Sequence, residues 1–298
     1  MIPVIFGVAL LTFILFTFFG EDPVRMALGQ HATPEAMALL RQKWGLDKNL
    51  FRQFIDFLLQ IITLDFGRSY SSGETLTQIF KQGSVVSLLL TVPPFIIGTT
   101  INLLVSMLIS FMRESWLDKA SRFIFIGSMS VSYLVYIIFF QYFLAYKLGW
   151  FPIQGFSKEE AILYLLLPWI IIIVVSAGPD IRLYRTIFLD ENKAEYIKTA
   201  RAKGSSEFRV LFIHIFKNAL IPVITHTLVS VPYLITGAFV MERYFGLPGI
   251  GDLTITAINE GDFPIIKGMT IILAILFSLF NLFTDILYAF VDPRVKFE

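Results

Sequence analysis

Few residues in this sequence have both the type and the spacing for chemistry. His31, His214 and His226 lie far apart, without metal-ligand spacing. There is no cysteine, which excludes disulfides and thiolate metal sites but leaves the redox compartment open. The run Gly246-Leu247-Pro248-Gly249-Ile250-Gly251 has the glycines of a phosphate loop, yet no Lys-Ser/Thr follows it. Asp285 is the one carboxylate inside a long apolar run. These residues build no catalytic centre and no metal site, and we expect the chain to bind no cofactor of its own. What remains is a set of shape-setting residues. Pro93-Pro94, Pro222 and Pro232 interrupt apolar stretches, where proline bends a helix and frees carbonyls that could form a gate or face a substrate. Gly246, Pro248 and Gly249 form a turn, and Asp285 is expected to pair within the bundle or with a nearby base.

The elements that carry these residues are set by an unusual composition. Of 298 residues, 56% are hydrophobic and only 16% charged, and the mean hydropathy is +0.72. Soluble domains hold about 25% charged residues, so lipid is the expected solvent. The net charge of +1 gives no reason to expect a nucleic-acid partner. A helix needs roughly 20 apolar residues to cross the hydrocarbon core. The segments Met1–Gly20, Ser84–Met112, Phe123–Tyr146, Ala161–Gly178, Asn218–Val240 and Gly268–Val291 meet that length, and predict an all-α membrane protein of six spans. Met1–Gly20 lacks a basic leader and a small-x-small cleavage site, so it reads as a retained first helix. Lys and Arg crowd into 113–122, 182–217 and the tail, which predicts that those loops and both termini are cytoplasmic.

Two extramembrane pieces stand out. Residues 21–83 carry helix grammar: Thr33-Pro34-Glu35 as cap, first-turn proline and first-turn acid, with Gly45 as a stop. A second apolar helix is expected over about Phe51–Leu64, presenting Phe54, Phe57, Leu58, Ile61 and Ile62. This external insertion reads either as a cap over the membrane domain or as a surface for channelling substrate or docking a receptor. The other piece, 179–217, is basic. Ala194–Lys203 favours helix, Gly204-Ser205-Ser206 interrupts it, and Ser206-Glu207 opens a second helix over Phe208–Phe216 that leads into the fifth span at Asn218. A rigid helix–glycine–helix hairpin suits docking to another protein, because short helices transmit motion and loose loops do not.

At these residues the chain resembles the permeases of the oligopeptide/dipeptide branch of ATP-driven (ABC) importers. The run Glu195-Tyr196-Ile197-Lys198-Thr199-Ala200-Arg201-Ala202-Lys203-Gly204, followed by Asn218-Ala219-Leu220-Ile221-Pro222, is similar to that branch's form of the cytoplasmic "EAA" loop. Lys198-Thr199-Ala200 stands where the general importer pattern has Glu-Ala-Ala, a change typical of the peptide branch. Further matches are Phe245–Gly251, Asp285-Ile286-Leu287-Tyr288 with Asp292-Pro293-Arg294, Leu64–Ser69 and Gly149-Trp150-Phe151-Pro152. The sequence departs from the family in lacking a basic stretch before the first helix and the proline usual within Ser128–Tyr136.

The resemblance implies a type I importer permease forming one transmembrane domain over 1–298. It would pair with a second, homologous permease to enclose a path for di- or oligopeptides. Two cytoplasmic ATPases would hydrolyse ATP, and an extracytoplasmic binding protein would deliver cargo. The chain itself would be no enzyme. Glu195, Lys198, Thr199, Ala200, Arg201, Lys203, Gly204 and Ser205 would couple to the ATPase. Similar permeases serve nickel complexes and glutathione. An ion-coupled secondary transporter stays open as the rival, although such proteins place carboxylates or broken helices at mid-membrane and show two corresponding halves.

Overall fold

The computed structural model describes residues 2–19, 22–29, 33–235 and 238–291. His31 and the motif Asp292-Pro293-Arg294 lie outside them. The described residues are helical apart from turns and an isolated antiparallel bridge between Arg68 and Thr75. Fourteen helices follow in chain order. The first, α1 (Ile2–Ile14), winds on as a π turn through Phe19; α2 (Pro23–Leu28), α3 (Pro34–Trp44) and α4 (Leu50–Thr63) fall in the segment before the second expected span. Next come α5 (Leu76–Phe111), α6 (Trp116–Met129), α7 (Tyr133–Phe140, with a π segment to Lys147) and α8 (Ala161–Glu191). After α9 (Glu195–Ala202), α10 (Glu207–Arg209) passes through a π segment into α11 (Phe216–Ile235). The chain ends in α12 (Phe239–Phe245), α13 (Ile250–Glu260) and α14 (Phe263–Val291).

Among the described residues, four stretches are long and apolar enough to cross a membrane: Leu76–Phe111, Ala161–Glu191, Glu207–Pro232 and Phe263–Leu287. Pro3–Phe19 is apolar but shorter. The third expected span, Phe123–Tyr146, is not one helix: α6 and α7 meet at a 97° bend. The physical reason lies in the serines. Ser128 and Ser130 turn their hydroxyls back onto the Phe125 and Ile126 carbonyls, at 2.8 and 3.3 Å, and Ser132 opens α7 in an extended conformation. The break therefore needs no proline. The fourth expected span also differs: α8 runs on through Pro179 to Glu191, so 179–191 is helix rather than loop. Proline removes one N–H and disturbs one turn, and the rest of the helix can continue past it.

The chain divides into two compact units. The first holds 1–88 and 235–280. Its core joins Ala9 and Phe13 of α1, Phe57 of α4, Leu76 and Ile79 of α5, Ile250 and Ala257 of α13, and Ile265, Ile266 and Met269 of α14. The caps of α3 follow the sequence grammar: the Thr33 hydroxyl accepts the Ala36 N–H at 3.3 Å, and Gly45 closes the helix with φ +67°. α4 is two-sided, with Phe57 buried, Phe54, Leu58 and Ile61 packed on the core, and Ile62 exposed. The second unit holds 89–234 and 281–298. In it Asp118 of α6, 1% exposed, accepts from Arg185 Nε at 2.8 Å and Nη2 at 2.9 Å, a two-pronged bond that locks α6 to α8.

Candidate coupling site

The hairpin segment is a short helix strung between two long ones. The second helix leads into the fifth span as expected, in one continuous run from Glu207 into α11, because no breaker separates Phe216 from Asn218. α9 lies against both neighbours. Ile197, with no exposed surface, and Ala200 pack into a cluster with Tyr184 and Phe188 of α8 and Val210, Leu211, Ile215 and Ala219 of the α10–α11 run. Burial of these side chains, at roughly 25 cal/mol per Å², fixes α9 as a rigid knob.

The remaining candidate residues lie on and beyond its outer face. Lys198 pairs with Glu195 at 2.7 Å, and the Thr199 hydroxyl bonds back to the Glu195 carbonyl at 3.1 Å. Lys203 is exposed and Ser205 half-buried. Gly204 has φ +82°, and nothing lies within 4 Å of the position a Cβ would take. Only backbone strain therefore opposes a larger residue there. Ser206 then caps α10, accepting the Arg209 N–H at 3.4 Å.

Arg201 faces inward across the turn. Its Nε and Nη2 donate to the two Glu207 carboxylate oxygens at 2.8 and 3.0 Å, and Nη2 also reaches Asn192 Oδ1 at 2.8 Å. A second brace joins Tyr196, whose hydroxyl donates to Glu191 and accepts from Asn218 Nδ2 at 3.0 Å. Burial and the Glu191 bond push the Tyr196 pKa up to about 12, so its O–H remains a donor at any physiological pH. A cleft of about 270 Å³ opens beside the knob, lined by Ser110, Arg113, Asn192, Arg201 and Glu207 among others. Asn192 escaped the sequence reading, which took Tyr196 only as part of the motif and Glu207 only as a helix start; the i, i+6 spacing of Arg201 and Glu207 across a glycine turn was the available signal.

The Gly246–Gly251 turn belongs to the first unit and is wrapped around a carboxylate. Glu242, with no exposed surface, accepts from the Ser87 hydroxyl at 2.7 Å and from the N–H groups of Gly251, Asp252 and Ala238 at 2.7, 3.1 and 3.3 Å. The side chain thus caps the start of α13, where free N–H groups favour negative charge. Burial pushes its pKa up, and those donors pull it back. Gly246 takes φ +62° to end α12, Pro248 is exposed, and a Cβ on Gly249 would collide with the Glu242 carboxylate. The glycines make room for a buried acid, not for a phosphate. A parallel arrangement explains the Leu64–Ser69 run: buried Asp262 accepts from Ser69 Oγ at 2.5 Å, Tyr70 N at 3.2 Å, and Ser71 N and Oγ at 3.1 and 3.0 Å.

The prolines of the second unit are partly answered inside it. Pro93 frees the Leu89 carbonyl, which accepts the Trp169 indole N–H at 3.0 Å. Pro232 frees the Leu228 carbonyl, which accepts the Thr284 hydroxyl at 3.3 Å. Pro94 and Pro222 lie within α5 and α11. Asp285 is exposed on α14 and forms no ion pair among the described residues; the tail bases Arg294 and Lys296 lie outside them.

The geometry is that of helices long and apolar enough to cross a membrane, with the short α9 packed rigidly between two of them. Residues 102–297 match the family described as binding-protein-dependent transport system inner membrane component, and residues 1–91 match that family's N-terminal region. A Brucella abortus protein, provisionally named a peptide transport system permease, is 32% identical over 100% of this chain and 96% of its own length. The dipeptide transport system permease protein DppB of Alkalihalophilus pseudofirmus is 30% identical over 100% and 97%. The glutathione transport system permease protein GsiC of Shigella flexneri is 28% identical over 100% and 96%. The chain therefore belongs to the family of inner-membrane permease components of binding-protein-dependent transport systems.

Proposed function

We propose that this chain is a permease subunit of an ATP-driven importer of di- or oligopeptides, with both termini in the cytoplasm. It pairs with a second, homologous permease as a single transmembrane domain. Two cytoplasmic ATPases supply the hydrolysis, an extracytoplasmic binding protein supplies the cargo, and the chain binds no cofactor. The observation that carries this reading is the α9 knob, packed rigidly on α8 and α11 and closed by Gly204. Residues Glu195, Lys198, Thr199, Ala200, Arg201, Lys203, Gly204 and Ser205 form that knob and its turn, so an ATPase that moves it moves two long helices with it. The names of the relatives support a peptide as cargo, and the glutathione permease, itself similar to this chain, handles a small peptide too.

The experiment is uptake by membrane vesicles holding the whole system. Peptide uptake is expected to require ATP and to survive collapse of the proton gradient. Uptake that follows the gradient without ATP would establish an ion-coupled transporter instead.

A further inference from the structure

Within the apolar length of the second unit lies one polar cluster that the coupling site does not use. Asn102 on α5, with no exposed surface, donates from Nδ2 to Asp180 Oδ2 at 3.0 Å and to Ser176 Oγ at 3.3 Å, both on α8. His226 on α11 brings Nε2 within 3.9 Å of Asp180 Oδ1, too far for a hydrogen bond. At ~1.5 Å of rise per residue, Asn102, Asp180 and His226 each sit ~15 Å along their helices from Phe111, Glu191 and Phe216, the ends nearest the knob.

Two acceptor atoms in this cluster have no donor. Asn102 Oδ1 is buried and without a hydrogen-bond partner. Asp180 Oδ1 accepts no hydrogen bond among the described residues. Turning the Asn102 amide over would not help, because its oxygen would then face the carboxylate. Arg185, on the same helix, is taken by Asp118. The Asp180 side chain is 22% exposed and that of His226 42%, so the cluster opens on one side. A carboxylate inside a membrane span faces a partner or a water-filled route, since lipid cannot solvate it. On such a route the free carboxylate oxygen of Asp180 accepts from water or from a passing donor, and its negative charge favours a donor that is positive.

We propose that Asp180, oriented by Asn102 and Ser176, contacts a primary ammonium group of the transported solute at a water-filled point of the path. An ammonium offers three N–H donors, of which the partly exposed Asp180 Oδ1 accepts one while water takes the others. The identity of the ammonium as a peptide amino terminus rests on the importer reading above; the existence of the site does not.

The chain has no native cysteine, so Ser176→Cys, one helical turn from Asp180, is its single thiol, and the transporter without that substitution gives the background of the partner subunits. In the assembled transporter, its rates with a cationic and an anionic methanethiosulfonate are measured, each divided by the rate with a free thiol in solution. The expected preference for the cation is about tenfold or more, falling to within about twofold in Asp180→Asn and surviving in Asp180→Glu. No reaction with either reagent would show that the cluster is closed to water and overturn the proposal. So would a preference that Asp180→Asn leaves unchanged. Should Asp180→Asn not assemble, a preference near one in Ser176→Cys alone refutes the site. Ethylammonium chloride should slow the cationic reagent more than equimolar sodium chloride does, and equal slowing removes the ammonium assignment. Absent peptide uptake with the charge preference intact would refute the importer reading and leave the site standing.

Discussion

At the scale of the residue, the knob separates side chains that hold it from side chains that are free to bind. Gly204 has open space around it and a left-handed backbone, so Gly204→Val costs on the order of 1–2 kcal/mol of local strain. That is too little to unfold the membrane bundle. Gly204→Val is therefore expected to leave abundance near normal while reducing transport and ATPase co-purification; full transport would remove the coupling role. The two nearby bases should part company. Lys203 is exposed, and Lys203→Glu is expected to weaken ATPase association in a salt-dependent way, as an interfacial charge does. Arg201 braces Glu207 and Asn192, so Arg201→Glu places like charges together. It should lower the knob's protection from hydrogen exchange whether or not the ATPase is present.

At the scale of the element, the buried acid of the Gly246–Gly251 turn makes the sharpest test. Gly249→Ala pushes a methyl into the Glu242 carboxylate, and such overpacking costs about 1–3 kcal/mol. The Tm of the solubilised protein is expected to fall, whereas Pro248→Ala, at an exposed position, should move it little. Elements written in local signals were legible in the sequence. Thr33-Pro34 and Gly45 bound α3 as their types demand, and Gly204 ends the knob. What escaped depends on contacts distant in sequence. Nothing near Asp262 announces that Ser69 and Ser71 will bond to it, and nothing near Glu242 announces Ser87. The bend between α6 and α7 was missed for another reason: serine hydroxyls compete with the helix ladder without interrupting hydropathy.

At the scale of the whole molecule, the proposed topology, with the basic loops in the cytoplasm and residues 21–83 outside, is open to a direct labelling test. Lys203→Cys is expected to resist a membrane-impermeant maleimide in intact cells, while Ser72→Cys, exposed between α4 and α5, should react. Labelling of Lys203→Cys from outside would invert the topology and with it the docking assignment. The spans themselves were largely readable from composition, since apolar length is a property of sequence alone. The polar cluster around Asp180 was not: the apolar run ends at Gly178 on paper, and only the continuation of α8 carries Asp180 up against Asn102.

The bond from Trp169 to the Leu89 carbonyl has a consequence for anyone altering this protein. Pro93 creates the vacancy that the indole fills, so each position is meaningful only in the company of the other. Pro93→Ala restores a backbone N–H that competes for the same oxygen and strands the indole; Trp169→Phe strands the oxygen. Each single replacement harms the bundle, and the second should harm it less once the first is in place. The two positions form a compensated pair, to be exchanged together or kept together, although two helices lie between theirs in the chain.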